Sequence, residues 1–506
     1  MSENKNMLEG LKQESNLTFT ENGGIAYSSS GTDCLDLFFR AGAMRNVSED
    51  EIKKTVIRAY TESAEKTMKI IFFARDVRGG LGERRFFRTA VETLAHYAPQ
   101  AVKRNIKYFG EYGRFDDLCV LLDTPCSNEA VEEIKKQLES DIENMKNEKP
   151  VSLLAKWLPS VNASSKEAKA MGKKIAKSLG MNDAEYRKTL SSLRKYIDIL
   201  ENYLREKEYT FNYSAQPSNA MLKYRKAFIR NDEERYRNYM ESVVKGESKL
   251  NTSTLYPYDI IRKCIDKRYL YELSESSDIS EEERLALDAT WKNLPDYTNG
   301  EENMNAIAVV DGSGSMTWCE NGNVRPIDVA ISLGIYFGER NKGKFANHFI
   351  TFSRRPRLIE IKGEDIYEKA NYCSSFDECS NTDIEAVFKL ILNTAVKNKL
   401  TPEELPSRIY IISDMEFDYC AEGGNDETVF LAMKKKYAKH GYNLPDIIFW
   451  NVNSRNSTIP VTFSETGAAL VSGASPAIFN MVMSGEINPE KIMNDIIYSE
   501  RYAVIS

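Results

Sequence analysis

Histidine is scarce in this sequence, with three in 506 residues, and none of the eight cysteines forms a Cys-x-x-Cys pair. The first shortage excludes a histidine-rich metal site and argues against a Ser-His-Asp triad, while the scattered cysteines argue against a disulfide framework. No apolar run reaches the ~18 residues of a membrane span, and the first thirty residues lack the hydrophobic stretch of a signal peptide. These absences predict a cytoplasmic protein that binds no membrane.

Charge is distributed unevenly, although 42% apolar and 28% charged residues make an ordinary globular composition. The net charge of −7 argues against nucleic-acid binding over the whole surface. Residues 301–506 carry 20 basic against 28 acidic side chains, whereas residues 151–230 carry 16 basic against 7 acidic ones. The basic middle segment indicates an anionic partner or, alternatively, a set of solvated helix faces.

The spacing of apolar residues divides the chain into three parts. Residues 1–47 form an N-terminal arm that is expected to be partly extended, because residues 16–40 alternate in the manner of strands. Residues 48–295 have apolar residues at helical spacing, and one helix is expected to run through residues 55–74. Many helices joined by short polar turns predict an all-α solenoid or an irregular helical array.

From residue 303 to 506, after a turn-rich linker, short apolar runs alternate with amphipathic helices. This alternation predicts an α/β domain with a doubly wound, mostly parallel sheet. The strands are expected at residues 306–310, 348–352, 357–361, 409–412, 446–452, 460–463 and 468–471.

The loop after the first of these strands reads Asp311-Gly312-Ser313-Gly314-Ser315. Ligands of open α/β sheets bind outside the carboxyl ends of the strands, where this loop is predicted to lie. One carboxylate and two hydroxyls at alternate positions present three hard oxygen atoms, and the glycines let the backbone bend so that these oxygens converge. Such ligands favour Mg²⁺, with Mn²⁺ or Ca²⁺ as alternatives, over zinc.

Two further oxygen-bearing residues are expected at the same edge of the sheet. Thr382 precedes a predicted helix, and Asp414 follows the predicted strand 409–412. Right-handed connections between parallel strands bring both residues to the edge that carries the loop. The sequence therefore predicts a divalent-metal site whose remaining position is taken by water or by a partner's carboxylate, and whose ligands are Asp311, Ser313, Ser315, Thr382 and Asp414.

This pattern resembles the metal-ion-dependent adhesion site (MIDAS) of von Willebrand factor A domains, in which Asp-x-Ser-x-Ser is followed by a threonine and an aspartate. All five positions are present here in the same chain order. The resemblance implies that residues 303–506 form a Rossmann-like A domain. A Gly/Ser turn that happened to contain an aspartate would not explain Thr382 and Asp414.

Other stretches resemble a family of plants, bacteria and large DNA viruses that is named only as a domain of unknown function. They are residues 75–84, 112–117, 152–159, 186–190, 255–260 and 412–417. A helical region followed by an A domain is also similar to the Ro ribonucleoproteins, whose TROVE module is a ring of HEAT-like helices closed by an A domain. This second resemblance implies a monomeric ring that binds small non-coding or misfolded RNA.

If the resemblance to Ro extends to its ligand, the basic middle segment is where RNA contacts are expected. No RNA-contact motif of the Ro proteins is visible in this sequence, and solvated helix faces remain the alternative for these side chains. The candidates are Lys156, Lys173, Lys174, Arg187, Lys188, Arg194, Lys195, Arg225 and Lys226.

The leading hypothesis from the sequence is a non-enzymatic, Ro-like RNA-binding scaffold. The rival hypothesis is a protein-interaction module in which the divalent cation binds an acidic residue of a partner and RNA has no part. An enzyme is not expected, because no nucleophile or general base accompanies the predicted ion.

Overall fold

A computed structural model of the protein describes residues 7, 11, 15–197, 199–265, 279–298, 305–317, 324–353, 355–376, 382–419, 428–483 and 487–506. The chain is rich in helices, and its C-terminal part contains a six-stranded sheet. The predicted order of an all-α region followed by an α/β region is therefore confirmed. Within the described ranges, no helix is long and apolar enough to cross a membrane.

The N-terminal arm contains a short hairpin and a helix. Strands β1 (Leu17–Phe19) and β2 (Ile25–Tyr27) pair in antiparallel fashion, as the alternating pattern predicted. The rest of the arm differs from the prediction, because Asp33–Ala41 form helix α1. The Thr32 side chain accepts a hydrogen bond from the backbone N–H of Leu35 and so begins this helix, whose apolar residues are buried.

The helical region is a succession of helices, of which the first three pack on one another. The helix predicted to run through residues 55–74 is interrupted at Ser63, whose side chain accepts from the backbone N–H of Lys66 and starts a new helix. The helices are α2 (Glu49–Glu62), α3 (Ala64–Arg75), α4 (Arg84–Tyr97), α5 (Pro99–Asn105), α6 (Phe109–Tyr112), α7 (Ser127–Lys146), α8 (Leu154–Trp157), α9 (Lys166–Ser178), α10 (Asp183–Tyr196), α11 (Leu200–Glu206), α12 (Ser218–Asn231) and α13 (Glu233–Val244).

Strands and helices alternate in the C-terminal region, after two further helices. These elements are α14 (Pro257–Cys264), α15 (Glu281–Lys292), β3 (Ala306–Asp311), α16 (Pro326–Arg340), β4 (His348–Phe352), β5 (Leu358–Glu360), α17 (Ile366–Ser374), α18 (Ile384–Asn398), β6 (Arg408–Ser413), α19 (Val429–Lys439), β7 (Asp446–Asn451), β8 (Ala468–Ser472), α20 (Ala477–Met481) and α21 (Pro489–Ile497).

The sheet has the strand order β5-β4-β3-β6-β7-β8, and only β5 runs antiparallel to its neighbour. Val310 of β3 lies opposite Ile412 of β6, so these parallel strands end at the same edge. The strand predicted at residues 460–463 is wrong. Pro460 has no backbone N–H for a ladder, and the neighbouring Ile459 makes an isolated bridge to the N-terminal hairpin instead.

The contacts within the chain define two compact units, each made of two separate stretches of sequence. The α/β unit consists of Met1–Ser48 and Arg237–Ser499, and the helical unit consists of Glu49–Tyr236 and Glu500–Ser506. Helices α14 and α15 belong to the α/β unit, because they pack on α16 and α17. Trp291 of α15, for example, meets the ring of Tyr336 of α16 edge to face, at 6.3 Å between ring centroids.

Candidate metal site

The loop after β3 presents its oxygen-bearing side chains at the carboxyl edge of the sheet. Asp311 is fully buried, and its Oδ1 accepts a hydrogen bond from the backbone N–H of Ser313 at 2.8 Å. The hydroxyls of Ser313 and Ser315 lie 3.0 Å apart, so the loop brings its two serines together as the sequence predicted.

Asp414 enters the site from the end of β6, the strand next to β3. Its side chain is buried, and the backbone N–H of Glu416 donates to its Oδ1 at 3.3 Å. Ser413, one residue earlier, donates from its hydroxyl to Asp311 Oδ2 at 2.5 Å. Two adjacent residues at the end of β6 therefore serve the predicted set. Ser413 contacts the carboxylate of Asp311, and Asp414 supplies the second carboxylate.

Thr382 lies beside the loop that follows Asp414. This threonine is buried, and its Oγ1 donates to the backbone carbonyl of Glu416 at 2.6 Å. The side-chain amide of Asn22, in the turn of the N-terminal hairpin, donates to the same Oγ1 at 2.7 Å. All five predicted ligands therefore belong to loops at one edge of the sheet.

The two carboxylates of this edge lie in an unfavourable electrostatic environment. Burial raises the pKa of both carboxylates, and the charge of Asp414 raises the pKa of Asp311 further. Asp414 Oδ2 is buried and has no hydrogen-bond partner among the described residues, and the nearest cationic atom is Nη1 of Arg455 at 3.7 Å. Two neighbouring buried carboxylates with an unbonded oxygen are unfavourable without a counter-ion.

The donor set fits a hard divalent cation. It combines two carboxylates with three hydroxyls, all of them oxygen ligands of the kind that Mg²⁺, Mn²⁺ and Ca²⁺ prefer. In the described ranges no group of three or more His, Cys, Asp or Glu side chains is arranged to hold a metal. The present set differs from such a group because three of its five residues are serine or threonine.

Several residues of this edge are absent from the sequence prediction. Asn22 and Glu21 come from the N-terminal hairpin, Glu416 follows β6, and Arg455 follows β7. Arg455 pairs with Glu21 Oε2 through Nη2 while its Nη1 faces Asp414. The Gly23-Gly24 pair between two short alternating segments predicts a turn. The sequence carries no signal for the residues that this turn contacts.

The candidate RNA contacts in the helical unit differ in burial and in the contacts that they make. Arg225 is buried and donates from Nη1 to the carbonyl of Leu222, and Arg194 donates to two backbone carbonyls in the α8 region. Lys156, Lys173 and Lys174 form ion pairs with Glu201, Asp183 and Asp123 respectively. The exposed candidates are Lys173, Arg187, Lys188, Lys195 and Lys226.

Three of these candidates line one cavity of about 600 Å³ on the surface of the helical unit. Arg187 and Lys188 come from the exposed side of α10, and Arg194 lies one to two turns further along the same helix. The remaining lining is mostly small and polar, and consists of Ser160, Asn162, Ala184 and Ser191.

The protein combines a helical unit with an α/β unit. The sheet of the α/β unit carries acidic and hydroxyl side chains at one edge. Residues 305–501 match a domain of unknown function (DUF7788). Residues 20–136 and 132–299 match a second domain of unknown function (DUF2828), and the chain belongs to that family. The predicted membership of a family of this kind is confirmed.

A viral relative is similar in sequence to nearly the whole chain. An uncharacterized protein of Acanthamoeba polyphaga mimivirus is 28% identical over a match of 520 residues. The match takes in 95% of this chain and 87% of that protein. The similarity therefore extends through both the helical unit and the α/β unit.

Proposed function

We propose that this protein is a non-enzymatic binding module that captures an acidic side chain of a partner through a divalent cation. The five oxygen-bearing residues at the sheet edge would hold the cation, and the cation would supply an open position for a carboxylate. The single observation that carries the proposal is the buried pair Asp311 and Asp414, in which Asp414 Oδ2 has no hydrogen-bond partner among the described residues. The resemblance of this edge to the MIDAS of von Willebrand A domains supports the same reading.

The test measures Mn²⁺ binding by the full chain. The electron paramagnetic resonance signal of free Mn²⁺ reports the bound fraction, and the relaxation of acetate methyl protons reports contact between a carboxylate and the bound ion. We expect the wild type to bind Mn²⁺ and to relax acetate. Asp311→Asn removes one ligand charge and should weaken Mn²⁺ binding by at least ~10-fold.

Glu465→Gln is the matched control, because Glu465 is a carboxylate of the same unit that pairs with Lys434 at 2.8 Å. This variant should bind Mn²⁺ as the wild type does. Equal Mn²⁺ affinities for the wild type, Asp311→Asn and Glu465→Gln would overturn the proposal.

The cavity beside α10 favours a second candidate function, the binding of RNA phosphates by a Ro-like scaffold. Arg187 and Lys188 project from one helix into a space of about 600 Å³, next to hydroxyl and amide groups that can also contact phosphate. We expect a gel shift with structured RNA that weakens steeply with salt and that is lost in the double variant Arg187→Glu/Lys188→Glu. Retained binding in that variant, or no shift at low salt, would exclude this candidate.

A further inference from the structure

The turn of the N-terminal hairpin is attached firmly to the loop that follows β6. Thr20 Oγ1 donates to the carbonyl of Phe417 at 2.5 Å, and the backbone N–H of Glu21 donates to Glu416 Oε2 at 2.8 Å. A Cβ on Gly24 would lie 2.5 Å from the same Phe417 carbonyl oxygen, so glycine allows this close approach. The backbone of the turn is therefore fixed beside Asp414 and Thr382, and side-chain motion is the freedom left to Glu21.

The carboxylate of Glu21 shares a cationic partner with Asp414. One guanidinium, that of Arg455, pairs with Glu21 Oε2 and lies 3.7 Å from Asp414 Oδ2. The negative charge of Glu21 also contributes to the raised pKa of Asp414, as expected for two carboxylates at short range. A divalent cation in place of the Arg455 guanidinium can bridge the same two carboxylates.

We propose that Glu21 is an internal ligand of the divalent cation. The Glu21 carboxylate occupies the open coordination position of the cation until an acidic side chain of a partner displaces it. Glu21 loses little when it exchanges Arg455 for the metal, because the side chains of Glu21 and Arg455 are 41% and 36% exposed and solvent screens such a pair. Attachment of the turn gives the Glu21 carboxylate a high effective concentration at the site. Free carboxylates therefore compete poorly with Glu21 for the cation. Only a partner that also makes other contacts with the protein would displace Glu21.

This inference rests on the proposed function, and its test uses the metal alone as the probe. Replacement of Glu21 by Gln removes the internal ligand, so the full chain should bind Mn²⁺ more weakly, by several-fold to ~10-fold. The vacated position should be filled by water, and the relaxation rate of water protons per bound Mn²⁺ should therefore rise. Acetate should relax faster than it does with the wild type, because it no longer competes with Glu21 for the bound ion.

Two further variants separate ligation from simpler effects. Glu21→Asp keeps the charge but shortens the side chain, and we expect the same increase in water relaxation as for Glu21→Gln, since the shorter carboxylate cannot reach the ion. Glu465→Gln should leave both the affinity and the relaxation rate unchanged. A purely electrostatic role for Glu21 predicts wild-type behaviour in Glu21→Asp, and this result would overturn the inference.

The outcomes also distinguish the two proposals. If Asp311→Asn abolishes Mn²⁺ binding while Glu21→Gln matches Glu465→Gln in affinity and water relaxation, Glu21 is no ligand and the metal site stands. If Asp311→Asn binds Mn²⁺ as the wild type does, the metal site itself is rejected, and the role of Glu21 with it.

Discussion

At the scale of single residues, the folded protein strongly raises the pKa of Asp311. Burial, reinforced by the charge of Asp414, raises its pKa from 3.8 to about 7. Between these two values the folded protein keeps a proton that the unfolded chain has lost. The contribution of Asp311 to stability is therefore full below pH 3.8 and disappears as the pH rises towards 7.

We therefore predict that metal-free wild-type protein loses more thermal stability between pH 4 and pH 7 than Asp311→Asn does. The amide of the variant has no proton to lose and no charge to repel Asp414. Differential scanning fluorimetry in EDTA measures this difference, and added Mg²⁺ at pH 7 should stabilise the wild type more than the variant. Parallel pH profiles of the two proteins would contradict the prediction.

Sequence reasoning found the five candidate ligands because each stands at the end of a strand or the start of a helix whose pattern is readable. Asp311 and Asp414 follow apolar runs, and Thr382 precedes an amphipathic segment. Sequence reasoning did not find Glu21 and Arg455, because they lie some 400 residues apart in the sequence. Their association depends on where the N-terminal hairpin docks. Local patterns of hydrophobicity carry no information about such a contact.

At the scale of elements, the stretches that identify the family build a buried charge network. Residues 75–84 join α3 to α4, as a helix-to-helix turn, in agreement with the pattern of glycines. Arg75 Nε donates to Asp117 Oδ2 at 2.7 Å, and Arg88 Nε donates to Asp117 Oδ1 at 2.6 Å. Arg75 and Asp117 are both buried, so these stretches stabilise the packing of α3, α4 and the segment after α6.

Removal of the shared carboxylate should destabilise the helical unit strongly. Asp117→Asn leaves the buried guanidinium of Arg75 without a counter-charge, and breaking a buried pair costs about 3–5 kcal/mol. Urea unfolding followed by hydrogen exchange in α3 and α4 measures the effect. Asp123→Asn is the control, because Asp123 forms an exposed ion pair with Lys174 and should change the free energy of unfolding by less than about 1 kcal/mol.

At the scale of the whole molecule, neither compact unit is a continuous stretch of chain. The α/β unit takes in the N-terminal arm and helices α14 and α15, and the helical unit takes in the last seven residues. Sequence patterns gave the type of most elements correctly but placed the boundary by a change in periodicity. That change marks where strands begin, whereas the unit is defined by which apolar faces bury each other.

The last residues of the chain complete the core of the helical unit. Tyr502 is buried, stacks on Tyr112 with 5.8 Å between ring centroids, and donates from its hydroxyl to Asp76 Oδ2 at 3.0 Å. Lys69 of α3 donates to the carbonyl of Tyr502 at 2.7 Å. A segment at the far end of the sequence thus satisfies buried groups of the first helices of this unit.

We predict that Tyr502→Ala destabilises residues 49–236 by about 3–5 kcal/mol, because it leaves a cavity between aromatic rings and removes the hydroxyl partner of Asp76. Hydrogen exchange of the full chain should show lost protection in α3 and α6. Tyr498→Ala is the matched control, since the Tyr498 side chain is 47% exposed and belongs to the α/β unit. Unchanged protection of α3 in Tyr502→Ala would mean that the helical unit folds without the C-terminal residues, and the division of the chain into discontinuous units would then be wrong at this end.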